Sequence, residues 1–209
     1  MVCYLIEGNP VTEPANATPE VIEPGRRYAY RASLIGGGRS FELTDDGLAW
    51  KVGAKSGLWR YDKIASVRLS YRPVSMQSRR FRADISYDSG ERISILSTSW
   101  QTVALMAPQD ADYRAFITAL HRRMQEAGSR AALIGGLKPL VYNIGLVVLA
   151  VLGVAMAGLL ARAVATGEIA GIIFIAGFAA LFGWQIGGFI RRNTPRNYTF
   201  DQLPKELVP

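Results

Sequence analysis

The sequence predicts an α+β protein made of two materials. A small antiparallel β-barrel or sandwich of six to seven strands, closed by one C-terminal amphipathic helix, precedes a transmembrane hairpin of two helices. Three observations carry this. Only Arg162 and Glu168, of 24 basic and 17 acidic residues, fall between Pro139 and Ile190. Turn signals separate short alternating runs from Arg26 to about Ser99. A helical period follows Pro108. The 209-residue average, 49% apolar with a mean hydropathy of +0.12, therefore blends two unlike parts. A single globular core is excluded, and collagen-like, disulfide-rich and fully disordered classes fit poorly.

Residues 1–25 read as a disordered acidic tail: Glu7, Glu13, Glu20 and Glu23 alternate with Pro10, Pro14, Pro19 and Pro24. Cys3 is the sole cysteine, so neither an internal disulfide nor a multi-cysteine metal site can form. Residues 26–129 form the β domain. Tyr28, Tyr30, Ala32 and Leu34 alternate up to Gly36-Gly37-Gly38. Phe41 and Leu43 lead to the hairpin signal Asp45-Asp46-Gly47, and Leu48, Trp50 and Val52 resume the alternation. Leu58–Tyr61, Ile64–Tyr71, Arg80–Tyr87 and Arg92–Ser97 supply the remaining strands. Over residues 109–127 the period changes. Tyr113, Phe116, Ile117, Leu120 and Met124 mark one face of a capping helix that Gly128 ends. The one histidine, His121, is expected at the surface or edge of that helix.

A linker over 130–138 leads to the spans 139–161 and 169–190, joined by the loop 162–168. Each charge-free run covers about 33 Å, enough for a hydrocarbon core of about 30 Å. Arg122, Arg123, Arg130 and Lys138 precede the hairpin, and Arg191, Arg192 and Arg196 follow it, which predicts cytoplasmic termini and an external loop. Gly153, Ala157 and Ala161 on the first span, and Ala179, Gly183 and Gly187 on the second, are candidate helix-packing faces, within the hairpin or between copies in a homo-oligomer. The cytoplasmic tail 191–209 carries Pro195, Pro204 and Pro209 among Tyr198, Phe200, Leu203 and Leu207. It is expected to order against the domain or the bilayer surface, with a partner-binding peptide as the alternative.

The most basic stretch, Arg60 to Arg82, holds seven basic residues against one acid, Asp62. If Arg72 opposes Arg80 across a hairpin, Arg68 opposes Asp84 as a cross-strand ion pair. The tip then gathers Arg72, Arg79, Arg80 and Arg82. These four are the candidate contact for anionic lipid headgroups or an acidic protein partner, against the plainer reading of a solvated basic face. No nucleic-acid motif occurs, so no nucleic-acid partner is expected. No paired acids, metal spacing, nucleophile with a base, or phosphate loop is evident, so no catalytic, cofactor-binding or metal residues are expected.

Phe41-Glu42-Leu43-Thr44-Asp45-Asp46-Gly47-Leu48 and Tyr61-Asp62-Lys63-Ile64-Ala65-Ser66-Val67-Arg68-Leu69 resemble bacterial pleckstrin-homology-like domains, over roughly residues 38–126. More loosely, the chain resembles uncharacterised proteobacterial membrane proteins with this domain ahead of two spans. The resemblance implies a PH-like fold at a bacterial inner membrane and no catalytic residues. The functional expectation is a non-catalytic, membrane-anchored adaptor or scaffold that binds a protein. A small oligomeric subunit of a channel or transport complex is the alternative.

Overall fold

In a computed structural model of the chain, residues 25–33, 37–73, 79–102 and 106–209 are described. The acidic tail up to Pro24, with Cys3, and the positions Leu34 and Gly36 lie outside them. Strands β1 (Arg27–Tyr30), β2 (Arg39–Leu43), β3 (Leu48–Val52) and β4 (Lys55–Trp59) form an antiparallel meander. A 3₁₀ turn at Tyr61–Lys63 leads to β5 (Ile64–Tyr71), β6 (Phe81–Tyr87) and β7 (Arg92–Leu96). β8 (Thr98–Trp100) and β9 (Met106–Pro108) make a separate ribbon before helix α1 (Asp110–Glu126). Strand β10 (Ala132–Gly135), helices α2 (Pro139–Ala165) and α3 (Ile169–Arg192), and strand β11 (Arg196–Asn197) complete the chain.

The core forms where the inward sides of both sheets meet α1. The expected helix face holds: Tyr113, Phe116, Ile117, Leu120 and Met124 are fully buried, against Tyr28, Phe41, Val67, Leu69 and Ile85. The expected barrel does not close: among the described residues no ladder joins the two sheets. Side chains bridge them instead. The Tyr28 hydroxyl donates to the Leu96 carbonyl at 2.6 Å, and Tyr30 donates to the Ser94 carbonyl. Both carbonyls lie on β7, the end strand of its sheet. Tyrosine side chains are longer than a ladder bond, so the sheets stand further apart there than paired strands would.

The stretch 130–138, expected as a linker, contains β10. It lies parallel to β5, with Ala132 opposite Ser66 and Gly135 opposite Leu69. β11 then pairs antiparallel with β10, so the second sheet runs β11-β10-β5-β6-β7. The strand before the first long helix and the strand after the second are therefore neighbours in one sheet. The C-terminal segment follows them into the domain: Leu207 is fully buried and Val208 nearly so.

His121 is also not where the sequence suggests. It is buried between α1 and the C-terminal segment. Its Nδ1 lies 2.7 Å from the Ile117 carbonyl, so that nitrogen carries the proton and donates. Nε2, at 2.9 Å from the Tyr198 hydroxyl, accepts. Both ring nitrogens are thus satisfied in the neutral form, which is what lets a histidine sit in a core.

α2 and α3 extend past the charge-free runs, and their connection shrinks to Thr166, Gly167 and Glu168. Gly167, at φ +71°, is the left-handed residue of a Schellman turn. Its N–H donates to the Val164 carbonyl at 3.2 Å, and that of Glu168 to Ala163 at 3.0 Å. Both helices are long and apolar enough to cross a membrane. Their side chains stand open, with Val154 74% and Trp184 81% exposed. Among the described residues, the one large apolar side chain exposed elsewhere is Leu58.

Candidate functional site

The site that distinguishes this architecture is the junction where the second sheet receives both ends of the helical hairpin. Ladder geometry builds it. β10 stops beside β5 at Gly135, opposite Leu69, and the next amide, Gly136 N–H, donates to the Leu69 carbonyl at 2.8 Å. Beyond that point no backbone remains to pair with Tyr71 on this side. The side chain of Asn193 takes over. Its Oδ1 accepts from the Tyr71 N–H at 3.0 Å, and its Nδ2 donates to the Tyr71 carbonyl at 2.9 Å. One carboxamide thereby supplies the donor and acceptor that a further strand residue would supply.

Asn193 is fully buried and ends α3, where Nδ2 also meets the Phe189 carbonyl at 3.2 Å. Its own carbonyl accepts from the Leu137 N–H at 3.0 Å, just before α2 begins. So Asn193 ties β5, the start of α2 and the end of α3 together. Gly136, at φ +84°, allows the close approach: a Cβ there would stand 2.5 Å from the carbonyl oxygens of Asn193 and Thr194.

The predicted basic hairpin meets this junction at one end. Its register is as expected: Arg68 faces Asp84, and the Arg72 N–H donates to the Arg80 carbonyl at 2.8 Å. The Arg68–Asp84 ion pair does not form. Asp84 is taken by Arg82, two residues away on the same face of β6, at 2.7 Å, and by the Ser94 hydroxyl. Ser94 sits directly opposite Asp84 on β7 and also accepts from Arg82 at 3.0 Å, which locks the carboxylate to that side. Arg68 Nη1 is left buried without a partner among the described residues.

Arg82 is therefore a neutralised cation, and the expected unbalanced cluster of four is smaller. Arg80 is half-buried and donates from Nε to the Arg72 carbonyl at 3.3 Å. Burial, followed by the charges of Arg82 and Arg72, pushes its pKa down. Arg72 and Arg79 are exposed. Most of the loop between them lies outside the described residues.

Sequence reasoning missed Arg192, which joins this end of the hairpin from α3. Its guanidinium lies over the Tyr71 ring, 4.9 Å from the centroid. Arg79 and Arg192 stand at the mouth of a cleft of about 1020 Å³ between the basic hairpin and the open end of the two spans. Its walls are Val141–Leu152 of α2 and Leu181–Arg192 of α3.

The small-residue faces lie elsewhere. Ala157, Ala161 and Ala179 are exposed, and a Cβ added at Gly153, Gly183 or Gly187 would meet nothing within 4 Å. The hairpin closes through other positions, with Ala163 buried beside Gly171. The predicted faces therefore make no close contact across the hairpin and are left open along it. Among the described residues no group of three His, Cys, Asp or Glu side chains could hold a metal ion.

No protein-family model matches this chain, no curated protein matches it, and no solved structure matches its fold.

Proposed function

We propose that this chain is a two-span integral protein of the bacterial inner membrane, with a PH-like domain held tightly against the cytoplasmic face. It acts there as a non-catalytic adaptor or scaffold for a protein partner. The observation that carries this reading is the stapling of both hairpin ends into one sheet, through β10, β11 and Asn193. A domain on a flexible tether can only be concentrated near a membrane; one built into the same sheet as its anchor presents a fixed face. The excess of arginine and lysine beside the sheet-side ends of the spans favours the cytoplasm for that face. A channel or transport subunit is less favoured: the polar residues of the spans, Tyr142, Asn143, Trp184 and Gln185, all sit near one end.

The partner surface most open to test is β4, an end strand of the first sheet that carries the exposed Leu58. Cross-linking in intact membranes, followed by purification of the full chain, should recover a protein with the wild type that Leu58→Glu loses. Identical recovered sets would contradict β4 as the partner surface, and a wild type that recovers no protein would contradict the adaptor reading.

A further inference from the structure

We propose that the cleft at the junction binds one anionic phospholipid drawn from the surrounding membrane. This rests on the reading of the hairpin as membrane-spanning. The walls run from Val141 to Leu152 on α2 and from Leu181 to Arg192 on α3, each about three turns or roughly 16 Å. That depth is about half of a hydrocarbon core, the reach of one leaflet. Apart from Gln185 and the Trp184 indole the lower walls are apolar, and Gly145 and Gly188 leave open space where larger side chains would stand. Acyl chains fit such a slot.

The mouth has a different chemistry. Arg79 and Arg192 stand there with Tyr142, while Gln185 and Trp184 line the wall about two turns further along α3. No carboxylate lines the cleft, and among the described residues neither guanidinium forms an ion pair. Stacking on Tyr71 positions Arg192 without neutralising it. Two guanidinium groups without a direct ion-pair partner, Arg192 sensing Glu206 only at a distance, match a phosphodiester above acyl chains, because guanidinium binds phosphate oxygens through paired hydrogen bonds. The net charge decides between lipids. A zwitterionic headgroup brings its own cation beside two arginines, and an anionic headgroup does not.

The test uses the full chain in a mild detergent, incubated with equal amounts of phosphatidylglycerol and phosphatidylcholine of identical acyl chains. Bound lipid is then counted by native mass spectrometry. Phosphatidylglycerol should be retained about tenfold over phosphatidylcholine. Arg79→Gln with Arg192→Gln should lower its retention roughly 10- to 30-fold, as expected for two lost basic contacts near a membrane surface. Arg192→Lys should keep most of it. Gly188→Leu, which fills the slot and leaves both arginines, should lose both lipids. Lys51→Gln with Lys55→Gln, an equal loss of charge on β3 and β4, should change nothing. Equal retention of the two lipids by the wild type, an equal loss in the Lys51 and Lys55 variant, or a polypeptide in place of lipid would overturn the proposal. Extraction of membranes with alkaline carbonate separates the two readings. Release of the chain defeats the membrane-spanning reading itself. Retention of the chain without lipid preference defeats only this inference.

Discussion

Asn193→Ala is expected to destabilise the protein by about 2–5 kcal/mol and to loosen the hairpin from the sheet. The substitution strips partners from the N–H and the carbonyl of Tyr71 together, and each buried group left unpaired costs about 1–3 kcal/mol. Asn193 is fully buried, so bulk water cannot replace the amide. Asn193→Asp separates this account from one based on side-chain size. Aspartate has the same shape, but it places an oxygen where Nδ2 donated, facing the carbonyls of Tyr71 and Phe189. The Asp variant should therefore be at least as damaging as Ala. Denaturant unfolding of the detergent-solubilised chain measures the cost. Amide exchange should localise it, with faster exchange at Leu137, whose N–H donates to the Asn193 carbonyl. A near-wild-type Asp variant would show that the amide is only filling space.

Leu207→Ala is the second large expected effect, also about 2–5 kcal/mol, because it opens a cavity under a fully buried side chain. Such a loss in the last three residues of the chain would mark the C-terminal segment as part of the core. His121 holds the same segment through Tyr198, and burial pushes its pKa below the ordinary 6.5. The unfolded chain therefore takes up a proton before the folded one does. The contribution of this neutral histidine is complete above about pH 6.5 and is lost as the pH falls below it. The unfolding midpoint should drop on acidification from pH 7.5 to 5.5, and His121→Gln should flatten that slope. An unchanged slope would place the proton uptake on other groups.

The parts of the fold legible in the sequence are those with local periodicity. Alternation in Ile64–Tyr71 and Phe81–Tyr87 set the β5–β6 register correctly, and the period of α1 marked its buried face. Non-local pairing was illegible. Four residues, Ala132–Gly135, followed by a turn glycine read as a linker, because their partner on β5 lies more than 60 residues earlier and runs parallel. β11 has only two residues and no pattern at all. His121 misled through its polarity: its acceptor is one helical turn back, but its donor, Tyr198, lies 77 residues on.

The candidate site divides along the same line. Arg72 and Arg79 stand where the register put them, exposed at the end of the hairpin. Arg82 was misread because a strand places i and i+2 on one face. Asp84 therefore had two arginines to choose between, and Ser94 on the third strand settled it. Arg192 read only as a topology signal, since nothing in its neighbours indicates that Tyr71 lies beneath it.

If one sheet closes the open end of a membrane-spanning hairpin, the β domain and the C-terminal segment share one side of the membrane and Gly167 lies on the other. Single cysteines in a Cys3→Ser background test it directly, with a membrane-impermeant maleimide applied to intact cells and to inverted vesicles. Thr166→Cys should label from outside intact cells, and Lys63→Cys and Asp201→Cys only in inverted vesicles. Labelling of Thr166→Cys and Asp201→Cys from the same side would contradict the account.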